Sequence, residues 1–70
     1  MSYELRDQIE QLKAQVEEQQ ELIKQYRDDE DETGADHAKN IKTCMREIAR
    51  LRRSIDALNQ QIEENNNADR

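Results

Sequence analysis

The chain has 70 residues, 40% of them charged, a net charge of −6 and only two aromatic side chains, both tyrosine. That length holds one domain, and so polar a chain cannot enclose a thick globular core, which leaves a coiled coil, a thin bundle or folding upon a partner. The acidic balance argues against a nucleic-acid or anionic-membrane binder.

The first element is a helix over residues 3–31. Apolar residues recur at Leu5, Ile9, Leu12, Val16, Ile23 and Tyr26, with Gln19 filling one slot. The spacing alternates four and three, which is a heptad with Ile9, Val16 and Ile23 at a and Leu5, Leu12, Gln19 and Tyr26 at d. Ser2 is the expected cap, with Glu4 in the first turn. Gln19 is a polar insertion that either sets register or tolerates a weak layer.

The second element is a bend over residues 32–35, inside the acidic stretch DDEDETGAD. Thr33 and Gly34, the only glycine, mark it. Thr33 to Asp36 has the Thr-x-x-Asp form of a capping box. The acidic residues face the unfavourable end of the first helix dipole. Calcium loops need alternating ligands around a central glycine and a closing glutamate, and this stretch has neither. No metal site and no cofactor are expected.

The third element is a helix over residues 36–63. Ile41, Ile48, Ile55 and Ile62 fall at a, and Cys44, Leu51 and Leu58 at d. His37 has no second histidine or nucleophile near it and reads as a solvent-exposed first-turn residue. Arg46, Arg50, Arg52 and Arg53 form a basic cluster, read as pairing with the acidic first helix and with water. No aromatics interleave it to stack bases. The tail, residues 64–70, is expected to fray.

Three architectures compete: a parallel dimer, a hairpin, and two full-length helices paired antiparallel, the last reproducing the hairpin's register between chains and opposed only by Gly34 and the helix-breaking loop. In a continuous parallel dimer, β-branched a and leucine d positions suit two strands. In an antiparallel hairpin, a opposes d, and the two numbers in every layer add to 67. Leu5 then meets Ile62, Ile9 meets Leu58, Leu12 meets Ile55, Val16 meets Leu51, Gln19 meets Ile48, Ile23 meets Cys44, and Tyr26 meets Ile41. The centre of that register falls between Thr33 and Gly34. Residues 1–32 carry 4 basic and 11 acidic side chains, a balance of −7, and residues 33–70 carry 7 and 6, a balance of +1. A hairpin sets these unlike halves together, whereas a parallel rod sets −7 against −7. Lys13 and Arg52 become neighbours in the hairpin, a mild penalty. The hairpin is the expected fold, all-α and antiparallel, with the parallel dimer as the alternative.

One hairpin is thermodynamically marginal, because ordering costs about 1.5 kcal/mol per residue against partial burial. Self-association into a four-helix bundle, or docking on another coiled-coil protein, is expected to supply the rest. Leu22 at g and Met45 at e widen the apolar stripe and are the expected partner contacts.

The expected function is non-catalytic: a structural, protein-interaction module acting by helix pairing as a scaffold, oligomerisation or regulatory segment. No pocket-forming core and no paired nucleophile and base support an enzyme. In outline, the arrangement of helix, acidic bend with Asp31, Glu32 and Asp36, and helix resembles the coiled-coil hairpin of bacterial transcript-cleavage factors and the regulatory hairpins of kinesin stalks. The likeness rests on no motif and identifies no family. It implies the alternative function, an accessory factor whose acidic tip docks into a partner enzyme or metal site. The single Cys44 cannot form an internal disulfide. No apolar run is long enough for a membrane span or signal-peptide core. The expected location is intracellular, cytoplasmic or cytoskeleton-associated, with no nucleic-acid or membrane partner.

Overall fold

The computed structural model describes residues 3–68, which fold into two helices, α1 over Tyr3–Thr33 and α2 over Ala38–Ala68, joined by four residues. There is no strand among the described residues. The helices pack against each other as a helical hairpin. A continuous helix over the same residues would be about 100 Å long at 1.5 Å per residue, whereas the molecule measures 58 × 16 × 11 Å.

Both helices are dense in Glu, Gln, Lys, Arg and Leu, which keep side-chain freedom in a helix, and no proline interrupts them. The apolar stripe gives each helix one face to bury. On α1 the buried residues are Ile9, Val16 and Ile23; on α2 they are Cys44, Ile48 and Leu51. No polar or charged residue is buried among the described residues.

The reversal of the chain has a definite cause. Gly34 adopts φ +74°, a left-handed conformation that costs an ordinary L-residue about 1–2 kcal/mol. Its N–H donates to the Glu30 carbonyl at 2.9 Å, closing α1 with the single hydrogen bond of an αL cap.

The boundaries differ from the sequence expectation in three places. Thr33 belongs to α1 and the loop runs from Gly34 to His37, rather than over 32–35. Thr33 does not start a capping box for α2. Its Oγ1 donates to the Asp29 carbonyl at 2.8 Å and accepts from the Ala35 N–H at 3.2 Å, so it finishes the first helix instead. Finally, α2 continues to Ala68, past the expected start of fraying at residue 64. No glycine or proline lies in 64–68, and each added residue gains one backbone bond once a helix exists. Ser2, the expected cap, and residues 69–70 lie outside the described residues, whereas Glu4 stands in the first turn of α1 as expected.

Candidate functional site

The heptad positions converge on one seam. Val16, Ile23, Cys44, Ile48 and Leu51 form a buried cluster, and Leu12, Tyr26, Ile41 and Ile55 pack against it. Leu5, Gln19, Leu58 and Ile62 are half-buried, and Ile9 is buried. Both members of the expected pairs Leu12 and Ile55, Val16 and Leu51, Ile23 and Cys44, and Tyr26 and Ile41 therefore lie in or against one cluster. The Gln19 side chain makes no hydrogen bond to protein, and no buried side-chain nitrogen or oxygen is left without a partner among the described residues, so its amide reaches solvent. A polar side chain at the rim costs far less there than an orphaned amide inside.

On α2 burial thins toward the open end, whereas on α1 Ile9 stays buried. Leu51 is 3% exposed, yet beyond it on α2 Ile55, Leu58 and Ile62 are only half-buried. The layers with both members buried are the central ones, Val16 with Leu51 and Ile23 with Cys44.

The bend end is built from polar groups. His37 is not a solvent-exposed residue. It is half-buried, its ring 5.0 Å from Tyr26 at an interplanar angle of 42°. Its Nε2 lies 2.6 Å from Asp29 Oδ2. An ionised carboxylate only accepts, so Nε2 carries the proton in this contact. The His37 N–H donates to Glu30 Oε2 at 2.8 Å. Asp36 Oδ1 accepts from the Ala38 N–H at 3.0 Å, and Ile41 N–H donates to the His37 carbonyl at 2.9 Å, opening α2.

Three of the carboxylates in DDEDETGAD thus hold backbone or ring donors at the start of α2. An acidic residue at a helix N-terminus is favourable, whereas at the end of α1 it is not. Folding places Asp29 and Glu30 beside the N-terminus of the following helix, where their charge helps. The signal for this was in the sequence: His37 occupies the next d position before Cys44 and Glu30 the next a after Ile23, and their numbers also add to 67. Sequence reasoning stopped the register at the last apolar layer and missed a polar one.

Electrostatics along the seam differ from the simple picture of an acidic arm bridged to a basic one. Only two ion contacts occur among the described residues: Asp29 with His37 across the bend, and Glu47 with Arg50 within α2. The cluster of Arg46, Arg50, Arg52 and Arg53 makes no bridge to α1. The register explains this. An antiparallel pair sets e beside e and g beside g, so Lys13 meets Arg52 and Leu22 meets Glu47, and unlike charges are not brought opposite. Arg50 Nε donates to Glu47 Oε2 at 3.3 Å, and this hydrogen bond, with the attraction of the guanidinium, holds the Glu47 carboxyl below the usual carboxylate range.

Leu22 and Met45 are both exposed, at 38% and 48%. They do not form one patch. Met45 lines an open groove of about 600 Å³ with Gln20, Ile23, Arg27, Ile48 and Arg52, and Leu22 is not part of it. The groove brings Gln20 beside Met45, and its continuation brings Lys13 beside Arg52. It is therefore the e flank, and Leu22 stands on the g flank.

Among the described residues no group of three or more His, Cys, Asp or Glu could hold a metal ion. No helix there is long and apolar enough to cross a membrane. No family model, no curated protein and no solved structure matches the chain.

Proposed function

We propose that the chain is a non-catalytic interaction module, an antiparallel coiled-coil hairpin whose function is to pair helices with another protein or another copy of itself. The observation that carries this reading is the apolar seam, with Gln19 as its one polar position. Its layers occupy the inner face of both helices, and what is left outside is two flanks and a short polar bend. The seam buries six side chains, none larger than leucine or isoleucine, and a two-helix pair gains further burial when another helix covers its flank. Scaffold, oligomerisation and regulatory roles all follow from such a module.

The test is molar mass in solution combined with oxidation of Cys44. In the hairpin Cys44 is buried at 6% exposure and its layer partner is Ile23. The expected result is a monomer, or a dimer that resists Cys44 crosslinking. Rapid formation of a Cys44 disulfide dimer would favour a parallel rod, in which the two copies of this d residue face each other.

The acidic-tip reading keeps fewer groups to work with. Asp29, Glu30 and Asp36 are engaged in forming the bend, which leaves Asp28, Asp31 and Glu32 facing outward. Reversing the charge of Asp31 and Glu32 separates the two roles: helix pairing persists under the first reading, and a tip-dependent activity is lost under the second.

A further inference from the structure

We propose that the e flank of the hairpin is a docking groove for a partner α-helix that carries an apolar heptad stripe bordered by acidic side chains. This rests on the helix-pairing reading and adds to it the surface used and the chemistry of what it binds.

The shape of the groove points to a helix. It runs along the line where α1 and α2 meet. Val16 and Ile23 recur along its floor on one side and Ile48 and Ile55 on the other, each pair seven residues apart. A third helix with a seven-residue apolar repeat meets both rows in step, as in a three-helix coiled coil. The floor residues are already mostly covered by the seam. Fresh apolar surface comes from Met45, 48% exposed, and from the aliphatic stems of the cations around it. Methionine is flexible and polarisable, which suits an adaptable contact. The supply is modest, so affinity depends on charge as well.

Charge fixes the kind of helix. The groove and its adjoining stretches are rimmed by Lys13, Lys24, Arg27 and Arg52 against three carboxylates, Glu17, Glu21 and Asp28. The flank is cationic on a molecule of net charge −6. None of these four cations makes an ion pair among the described residues. The opposite flank has no such character: its g positions on the inner turns are Gln15, Leu22, Glu47 and Ser54. At physiological salt, exposed charges are screened beyond about 8 Å, so a bound helix senses the groove rather than the net charge.

A second copy of the chain does not fit. Two e flanks face to face would set Lys13, Arg27 and Arg52 against themselves, and the apolar stripe of a second hairpin is already spent on its own seam. Nucleic acid finds no aromatic side chain in the groove to stack on.

The experiment uses the full chain and three probes: a peptide of about 28 residues, four heptads with Ile at a, Leu at d and Glu at e and g; its counterpart with Lys at e and g; and unstructured polyglutamate of equal length. Binding is followed through the methyl signals of Met45 and Leu22, which stand on opposite flanks. The acidic heptad peptide should shift Met45 and leave Leu22 unmoved. The double change Arg27→Glu and Arg52→Glu should weaken it about tenfold or more, and the lysine peptide should not bind. Equal binding of the lysine peptide or of polyglutamate, shifts centred on Leu22, or no binding of the acidic peptide would overturn the proposal. A spin-label separation between positions 5 and 62, measured in the same samples, tells which idea has failed. A closed hairpin that ignores the acidic peptide sinks the groove alone, and a separation lengthened to that of an open chain sinks the helix-pairing hairpin with it.

Discussion

The seam and the bend hold the same two helices together by different physics. Along the seam, stabilisation comes from apolar side chains removed from water, a force that is non-directional and tolerant of small shifts. At the bend it comes from directed contacts: the Gly34 N–H on Glu30, the Thr33 hydroxyl on Asp29, and His37 held by Asp29, Glu30 and Tyr26. The seam determines that the helices pair. The bend determines where the chain turns and which residues lie opposite. An antiparallel pair with only a seam could slip by a heptad, whereas one with a polar layer at the bend has its register pinned.

The sharpest way to separate these contributions is to damage each in turn. Leu51→Ala removes the most buried side chain and leaves a cavity, and should cost about 2–5 kcal/mol in denaturant unfolding. Leu58→Ala, at a half-buried position of α2 near the open end, should cost visibly less. Equal losses would mean that burial does not thin along α2 toward the open end. Next, Gly34→Val forces a β-branched residue into φ +74°, and should cost about 1–2 kcal/mol although nothing lies within 4 Å to clash with it. A neutral result would mean that the chain does not turn through this conformation.

A smaller effect is expected at the polar layer. His37→Ala removes the Asp29 contact and the ring packing on Tyr26, but the site is half-exposed, so the loss should be about 1 kcal/mol or less. It should come with a loss of register uniqueness, read as extra amide signals in the NMR spectrum. Glu32→Lys has the opposite sign. It exchanges an exposed anion for a cation in the last turn of α1, which has no basic residue, and should stabilise by about 0.5 kcal/mol. The smallest effect belongs to Glu47 and Arg50. The Glu47 carboxyl is depressed in the folded state, so its contribution is present at neutral pH and is lost as pH falls through the folded value. Both groups are exposed, and Glu47→Gln should leave the neutral-pH midpoint nearly unchanged.

The difference between the regions also explains what the sequence made legible. Periodicity reports burial, so the stripe from Leu5 to Tyr26 and from Ile41 to Ile62 could be read directly, and all fourteen of those side chains are buried or half-buried. The polar layer could not be found the same way, because Glu30 and His37 look like surface residues to any hydropathy count. Thr33 was ambiguous for a related reason: a hydroxyl can serve the end of one helix or the start of the next, and only the geometry around Gly34 decides. The opposition of Leu22 and Met45 across the hairpin was implicit in their g and e positions, but it becomes meaningful only once the helices are known to be antiparallel. Charge totals for the two halves misled in detail, since opposite totals do not require opposite charges to lie side by side.

The central claim is that the chain reverses at Gly34 so that the two ends of the seam lie together. Spin labels at positions 5 and 62 in a Cys44→Ser background, diluted with unlabelled chain, measure this within one molecule. The hairpin predicts a short intramolecular separation, set by helix axes about 8–10 Å apart plus the label linkers. A separation near 85 Å, about 57 residues of uninterrupted helix, would contradict it.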